Sequence, residues 1–408
     1  MLWEKLSRSH LRSLKRVTAV SAVASVLAMA PGALVLAASP PPVLYVSPSG
    51  RATNSGSRQS PFATIAEAVA AAIPGTTILV EPGTYTMTSP VDIGESLTLT
   101  TETGRYWSSR TTITGQGPVF VLQNGSGGVT GVTISGFNFV NITDPTGSAN
   151  GVITTPGYGA GDIRIVDNRF ANIATQAIGD HANPDLPSPL NTGWVIADNL
   201  VQNVSVAGQS GIWLGNLQDS WIVNNTVDGT GWAGILATAA GSGTPTANLV
   251  IAGNRVSNVP HEGIQVAFGD HVQIRGNTVR DTGLAGYTNP TASMDAAISL
   301  FNTDQSQIVV RDNTLVDNYQ GVELGQASVP SVLGAVGPGI AVVDNNLVDN
   351  VGGGVVNNAA TGFLNAADNW WGSRSGPMAG ETVGAVDTVP YLLHPVGVGE
   401  SGVNGPVV

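Results

Sequence analysis

Cysteine is absent from the chain, which removes disulfides, thiolate metal ligands and a cysteine nucleophile together. Lysine stops at Lys15. Beyond residue 38 the sequence holds 11 Arg, no Lys and 27 acidic residues, a formal charge of −16. Nucleic-acid binding is therefore not expected, because it needs a basic surface to neutralise phosphates. An acidic polysaccharide would also be repelled unless a cation bridged the two. Long apolar runs are missing after residue 30, so an integral membrane protein is not expected once the N-terminus has been cleaved.

That N-terminus reads as a signal peptide over residues 1–38. Lys5, Arg8, Arg12, Lys15 and Arg16 are basic, an apolar run covers 17–30, Pro31-Gly32 breaks it, and Ala37 and Ala38 offer a cleavage site. A retained anchor is the alternative, disfavoured because Pro31 leaves a stretch too short to span a bilayer comfortably. The chain is accordingly expected to be secreted or extracellular, cell surface included. Glycine is abundant at 52 residues, and the Gly/Val-rich tail over 396–408 is expected to be disordered.

One phrase recurs: apolar-x-apolar-x-(Asp/Gly/Asn)-Asn-x-apolar. Its asparagines are Asn168, Asn199, Asn225, Asn254, Asn277, Asn313, Asn345 and Asn369, spaced 23 to 36 residues apart, as expected of a short coil with variable insertions. Period-two alternation before each Asn predicts a strand, and the apolar residue two positions later predicts a second. Stacked coils would hold the asparagines about 4.8 Å apart, where their amides can bond along the stack. Asparagine also tolerates the left-handed backbone that such a bend often needs. A second phrase, a small residue then a β-branched one, recurs at Ala177-Ile178, Gly211-Ile212, Gly234-Ile235, Gly263-Ile264, Ala297-Ile298, Gly321-Val322 and Gly354-Val355. Short strands of this kind bury a core only when coils stack, which predicts a β-solenoid.

With these repeats, and with the opening segment LYVSPSG…SPFATIAEAVAAAIPGTTILVEPGTY, the chain resembles the pectate-lyase-like right-handed parallel β-helix superfamily over about residues 43–392. The resemblance implies an all-β fold, a right-handed parallel β-helix with an N-terminal capping helix. Ser60-Pro61 signals a helix start, and Phe62, Ile65, Val69 and Ile73 recur at helical spacing, placing that cap at about 60–73. Trp370 and Trp371 sit where the other end must close. The superfamily includes lyases, hydrolases, epimerases and non-enzymatic surface proteins, so function must come from a site.

Aligned on the small residue of the second phrase, the outward positions are Gln209/Trp213, Trp232/Leu236, His261/Gln265, Asp295/Ser299 and Tyr319/Glu323. Insertions over 180–193, 239–247, 283–294 and 326–339 are expected to wall a groove there. Tryptophans beside carboxyls suit a sugar, whose ring faces stack on aromatics. Gln209, Trp213, Trp232, Gln265 and Ser299 are the expected substrate-binding residues. Asp295 and Glu323, with Glu262 nearby, could supply the two carboxyl groups of a hydrolase. His261 or Tyr319 could be the base of a uronate lyase or epimerase. The missing lysine disfavours lysine-based lyases. Asn302-Thr303-Asp304 matches a fragment of the polygalacturonase signature without its companions, and Pro260-His261-Glu262 matches part of an epimerase motif but has Val259 where Asp should stand.

Two outlying clusters remain. Arg275 and Arg311 should stack on adjacent coils, most simply paired with turn aspartates. Asp312 and Asp317 register with Asp344 and Asp349, with Asp368 extending the first row, and calcium could relieve their repulsion. The bland alternative is a solvated acidic row. The expectation is a secreted, monomeric protein that binds an extracellular polysaccharide, with lyase, epimerase or hydrolase activity as an open question. The alternative is a non-catalytic surface or matrix protein.

Overall fold

A computed structural model describes residues 42–397, apart from 126, 148–150, 156, 158, 181–189, 240–244, 285–294 and 330–332. Residues 1–38 and all of the C-terminal tail from 398 on lie outside the described residues. The chain is a right-handed parallel β-helix. Among the described residues its strands form three sheets of 16, 11 and 10 strands, and every pairing between them is parallel, so successive coils stack strand on strand in each sheet.

Each sheet buries an apolar column that runs through its coils. In the first sheet Ile165, Ile196, Ile222, Ile251, Ile274, Val310 and Val342 lie in register, each at most 1% exposed. The second sheet stacks Ile178, Ile212, Ile235, Ile264, Ile298, Val322 and Val355. The third stacks Phe170, Val201, Val227, Val256, Val279, Leu315 and Leu347. No single coil could bury these side chains, whereas the stack buries them all. The small residue opening the second phrase has a steric cause: a Cβ on Gly234 would come within 2.5 Å of the Gly263 carbonyl on the next coil.

The asparagine column forms as expected, at the corner between the first and third sheets. Each amide Nδ2 donates to the next Oδ1, from Asn168 to Asn199 at 3.3 Å through Asn345 to Asn369 at 3.0 Å. The same oxygen also accepts the preceding asparagine's backbone N–H at 2.9–3.1 Å. The left-handed residue of the bend, however, is the one before each asparagine. Asp167, Asp198, Asn224, Asp312, Asp344 and Asp368 have φ of 54–57°, and Gly253 and Gly276 take the same place in their coils. The asparagine itself is spent on hydrogen bonding and is almost fully buried.

The N-terminal helix spans Ile65–Ala70 and is capped by Thr64, which accepts from the Glu67 N–H while the Glu67 carboxyl accepts from Thr64. It thus starts later than Ser60-Pro61 suggests. Phe62 is instead bridged to Val46, and Ile73 is 57% exposed. Ile65 and Ala68 join the core beside the first strands. At the far end Trp371 is buried in the core.

Candidate functional site

The second sheet presents its outer face in the register that the sequence implies. Trp213 pairs with Leu236, Leu236 with Gln265, Gln265 with Ser299 and Ser299 with Glu323. Gln209, Trp232, His261, Asp295 and Tyr319 lie in the turns that lead into these strands. The residues just before each strand therefore deliver one side chain beside the sheet, and the strand delivers a second.

These side chains are much less exposed than outward positions on a solvated solenoid should be. Trp213, Trp232, Gln209 and Tyr319 are half-buried, but Gln265, Ser299, Asp295 and Glu323 are buried. Side chains from the segments after the strands reach back over them. Asn358 donates to Glu323 Oε1 at 2.9 Å, and Gln326 donates to Glu262 Oε1 at 3.4 Å. The face is a covered, polar layer outside the apolar core.

A cavity of about 440 Å³ opens along this layer. Trp213, Trp232, Phe268 and Phe301 supply aromatic walls, and Glu262 and Gln265 supply polar groups. Trp213 Nε1 donates to Thr238 at 3.2 Å, fixing its ring. Trp232 lies against His261 with ring centroids 4.0 Å apart. His261 is in turn held by Asp295, Nδ1 to Oδ1 3.0 Å.

Glu262 links the cavity to a group of buried acids. Gln265 donates to its Oε1 at 2.9 Å. Burial is the main cause that pushes the Glu262 carboxyl up to about 7, with Asp295 adding to the rise and His261 and Gln326 opposing it. Glu323 is pushed up to about 8 by burial first, then by the Glu262 and Asp295 charges, against the Asn358 hydrogen bond. Burial first, then the Asp295 and Glu323 charges, raise the Tyr319 phenol.

Of the residues expected at this site, Trp213, Trp232 and Gln265 line the cavity. His261 and Asp295 form a pair beside it, and Glu323, Tyr319 and Ser299 continue the polar layer on the neighbouring coils. Gln209 lies at the edge of the layer, next to the cavity-lining Gly208. Sequence reasoning gave Glu262 too small a part. Two-residue alternation points it inward with Ile264, yet the strand begins only at Ile264, and the turn before it does not keep that alternation. Phe268, Phe301, Gln326 and Asn358 were also missed, because they follow the strand ends where no repeated phrase marks the register.

The insertions expected to wall the groove fall partly outside the described residues. Among their described parts, Asn191–Thr192 and Thr246–Ala247 are short strands, both paired with Leu217–Gln218 in a side ladder of the first sheet.

The acidic rows lie elsewhere. Asp312 and Asp344 occupy the left-handed bend beside the asparagine column, and Asp317 and Asp349 occupy a second left-handed bend with φ of 57° and 54°. Arg311 forms an ion pair with Asp312, and Arg311 registers with Arg275. Burial raises the Asp344 carboxyl, helped by Asp312 and Asp368. Among the described residues no group of three or more His, Cys, Asp or Glu side chains could hold a metal ion.

Comparison with known proteins agrees on the architecture. A family model described as periplasmic copper-binding protein (NosD) matches residues 190–375, the coils that carry the cavity. No curated protein matches the chain. Among solved structures, the catalytic unit of a thermostable GH87 α-1,3-glucanase from Streptomyces thermodiastaticus is similar at 16% identity, with a TM-score of 0.57 over 85% of this chain and 68% of that one. A variant GH87 α-1,3-glucanase catalytic domain in complex with nigerose is similar at 13% identity, with a TM-score of 0.50 over 91% and 70%. At such identities the likeness is one of fold.

Proposed function

We propose that the chain is an exported carbohydrate-binding protein that holds a polysaccharide segment in the cavity beside the second sheet. The observation that carries this reading is the cavity wall itself, where Trp213, Trp232, Phe268 and Phe301 surround the buried polar pair Glu262 and Gln265. A pyranose ring has apolar faces and a polar rim, and such a cavity offers a partner to each. The apolar N-terminal segment ending near Ala38 supports export, as does the periplasmic description of the matched family. Among the described residues no helix is long and apolar enough to cross a membrane.

Copper, which the family description names, does not fit these residues. The chain has no cysteine and five histidines, and His261 is engaged with Asp295 in the acidic layer. With no cluster of ligating side chains among the described residues, no step is assigned to a metal.

Hydrolysis is a second reading, favoured by Glu323. A carboxyl held protonated near neutral pH can donate to a glycosidic oxygen, while another carboxyl, here Asp295 on His261, serves as base or nucleophile. Uronate elimination or epimerisation fits less well. Either needs the substrate carboxylate neutralised, and Glu262, Asp295 and Glu323 bring no positive charge to do it.

Screening the purified chain against neutral, amino and uronic oligosaccharides of several linkages tests both readings. Trp232→Ala and Trp213→Ala should each weaken binding about tenfold or more. If turnover accompanies binding, reducing ends should accumulate, and Glu323→Gln should abolish that signal while binding persists. No binding to any glycan would remove the carbohydrate reading and favour a structural or adhesive surface protein.

A further inference from the structure

Among the described residues, unpartnered carboxyl and amide oxygens outnumber the one unpartnered hydroxyl, Ser299 Oγ, in the buried layer around the cavity. Glu262 Oε2, Asp295 Oδ2, Glu323 Oε2, Gln326 Oε1 and Gln320 Oε1 are all buried and have no hydrogen-bond partner. Such atoms are costly in a folded protein and call for a partner. Three of these oxygens belong to carboxyl groups, and burial holds those of Glu262 and Glu323 toward the protonated form unless a countercharge reaches them. The chain has little to offer. Lysine is absent beyond Lys15, no Arg lines the cavity, and no Arg is among the groups that perturb Glu262 or Glu323. Among the described residues beside the layer, the cationic candidate His261 already faces Asp295.

A metal ion would be the simplest countercharge, but the acids are strung along successive coils and do not converge into a cluster able to hold one. The missing group must therefore carry positive charge, donate several hydrogen bonds and belong to a ligand that also covers the aromatic walls. An ammonium meets the first two demands, with three donors and no acceptor. Trp213 and Trp232 add ring faces that attract a cation.

We propose that the cavity selects a sugar with a free amino group, a de-N-acetylated hexosamine unit, whose ammonium is received by Glu262 and the acids behind it. This rests on the carbohydrate reading and narrows it to a cationic glycan. A neutral sugar would satisfy some of the unpartnered oxygens but would not hold Glu262 and Glu323 in their ionised forms. A uronate would add a fourth carboxylate to the layer.

Ammonium binding should also displace protons. Glu262 faces Gln265, Gln326, His261, Asp295 and Glu323, and Glu323 faces Asn358, Tyr319, Glu262 and Asp295. With both carboxyls raised, a bound cation favours their ionised forms and releases protons near pH 7.

The test is calorimetric titration of the full chain with glucosamine and galactosamine oligomers, their N-acetylated counterparts and oligogalacturonate. It is run at pH 7 in two buffers of different ionisation heat. A free-amine oligomer should bind at least tenfold more tightly than its N-acetylated twin and release about one proton. Glu262→Gln should cut that preference below threefold and abolish the proton release. Equal affinity for both twins, or a preference for the uronate, would overturn the amino-sugar proposal and leave the carbohydrate reading intact. Silence of every oligosaccharide would instead remove the carbohydrate reading itself.

Discussion

Two rows of buried polar side chains run along this solenoid, and they are built in opposite ways. In the asparagine column every Oδ1 from Asn199 on accepts two hydrogen bonds, and every Nδ2 from there on also reaches a main-chain carbonyl on the coil before. Such a row closes on itself and offers a ligand nothing. In the layer on the second sheet the acids are only partly hydrogen-bonded, and one buried oxygen each of Glu262, Asp295 and Glu323 has no partner among the described residues. A satisfied row stabilises the fold, whereas an unsatisfied one is maintained against stability. Burial alone does not separate structure from function here. Completeness of hydrogen bonding does.

The largest expected effect falls on the closed row. Asn254→Ala removes the acceptor for the Asn225 N–H and amide and the donor to Ile222, all deep inside. It should destabilise the chain by about 2–4 kcal/mol in chemical denaturation. A loss below about 1 kcal/mol would mean that the column is ornamental and the contrast false.

An open-row substitution should act with the opposite sign. The raised carboxyls of Glu262 and Glu323 bind protons more tightly in the folded chain than in the unfolded one. Their contribution to stability is complete below about pH 4.5 and is lost as pH rises through about 7 and 8. Glu323→Gln should thus raise stability at pH 9 by about 1–3 kcal/mol and leave it unchanged at pH 4. A melting temperature that falls equally at both pH values would place Glu323 among the structural residues.

The smallest effect belongs to the acidic bends. Since Gly253 and Gly276 already fill the position that Asp312 occupies, Asp312→Gly should change stability by less than about 0.5 kcal/mol. Asp312→Val should cost about 1–2 kcal/mol, because a β-branched residue resists positive φ. Added calcium should leave the melting temperature of the parent chain unmoved. A calcium-dependent rise lost in Asp312→Gly would reinstate a metal site in that row.

Much of this was legible before any coordinates. Hydrogen-bond register is written as periodicity, so the asparagine spacing set the coils, and the Gly-Ile phrase set the column from Trp213 to Glu323. Legibility ended where the strands ended. Glu262 sits one residue before a glycine that precedes Ile264, in a turn whose geometry the alternation rule does not reach. Phe301 and Asn358 approach the layer from segments of different lengths. Burial of Asp295 and Ser299 was also hidden, because what covers an outward residue depends on side chains from other coils. The bend residue was misplaced for a simpler reason: Asp and Asn both tolerate the left-handed region, and only the hydrogen bonds tell which of two neighbours adopts it.

The ladder also has a direction, since each asparagine gives its amide protons to the next one and receives from the one before. A whole coil spliced between two others can join this chain of donors without reversing any link, provided it brings its own asparagine and a flexible residue ahead of it. The protein could therefore lengthen or shorten by entire coils while its interior bonding stays unbroken. The reach of its binding face would then be set by how many coils are copied, independently of the chemistry that each one carries.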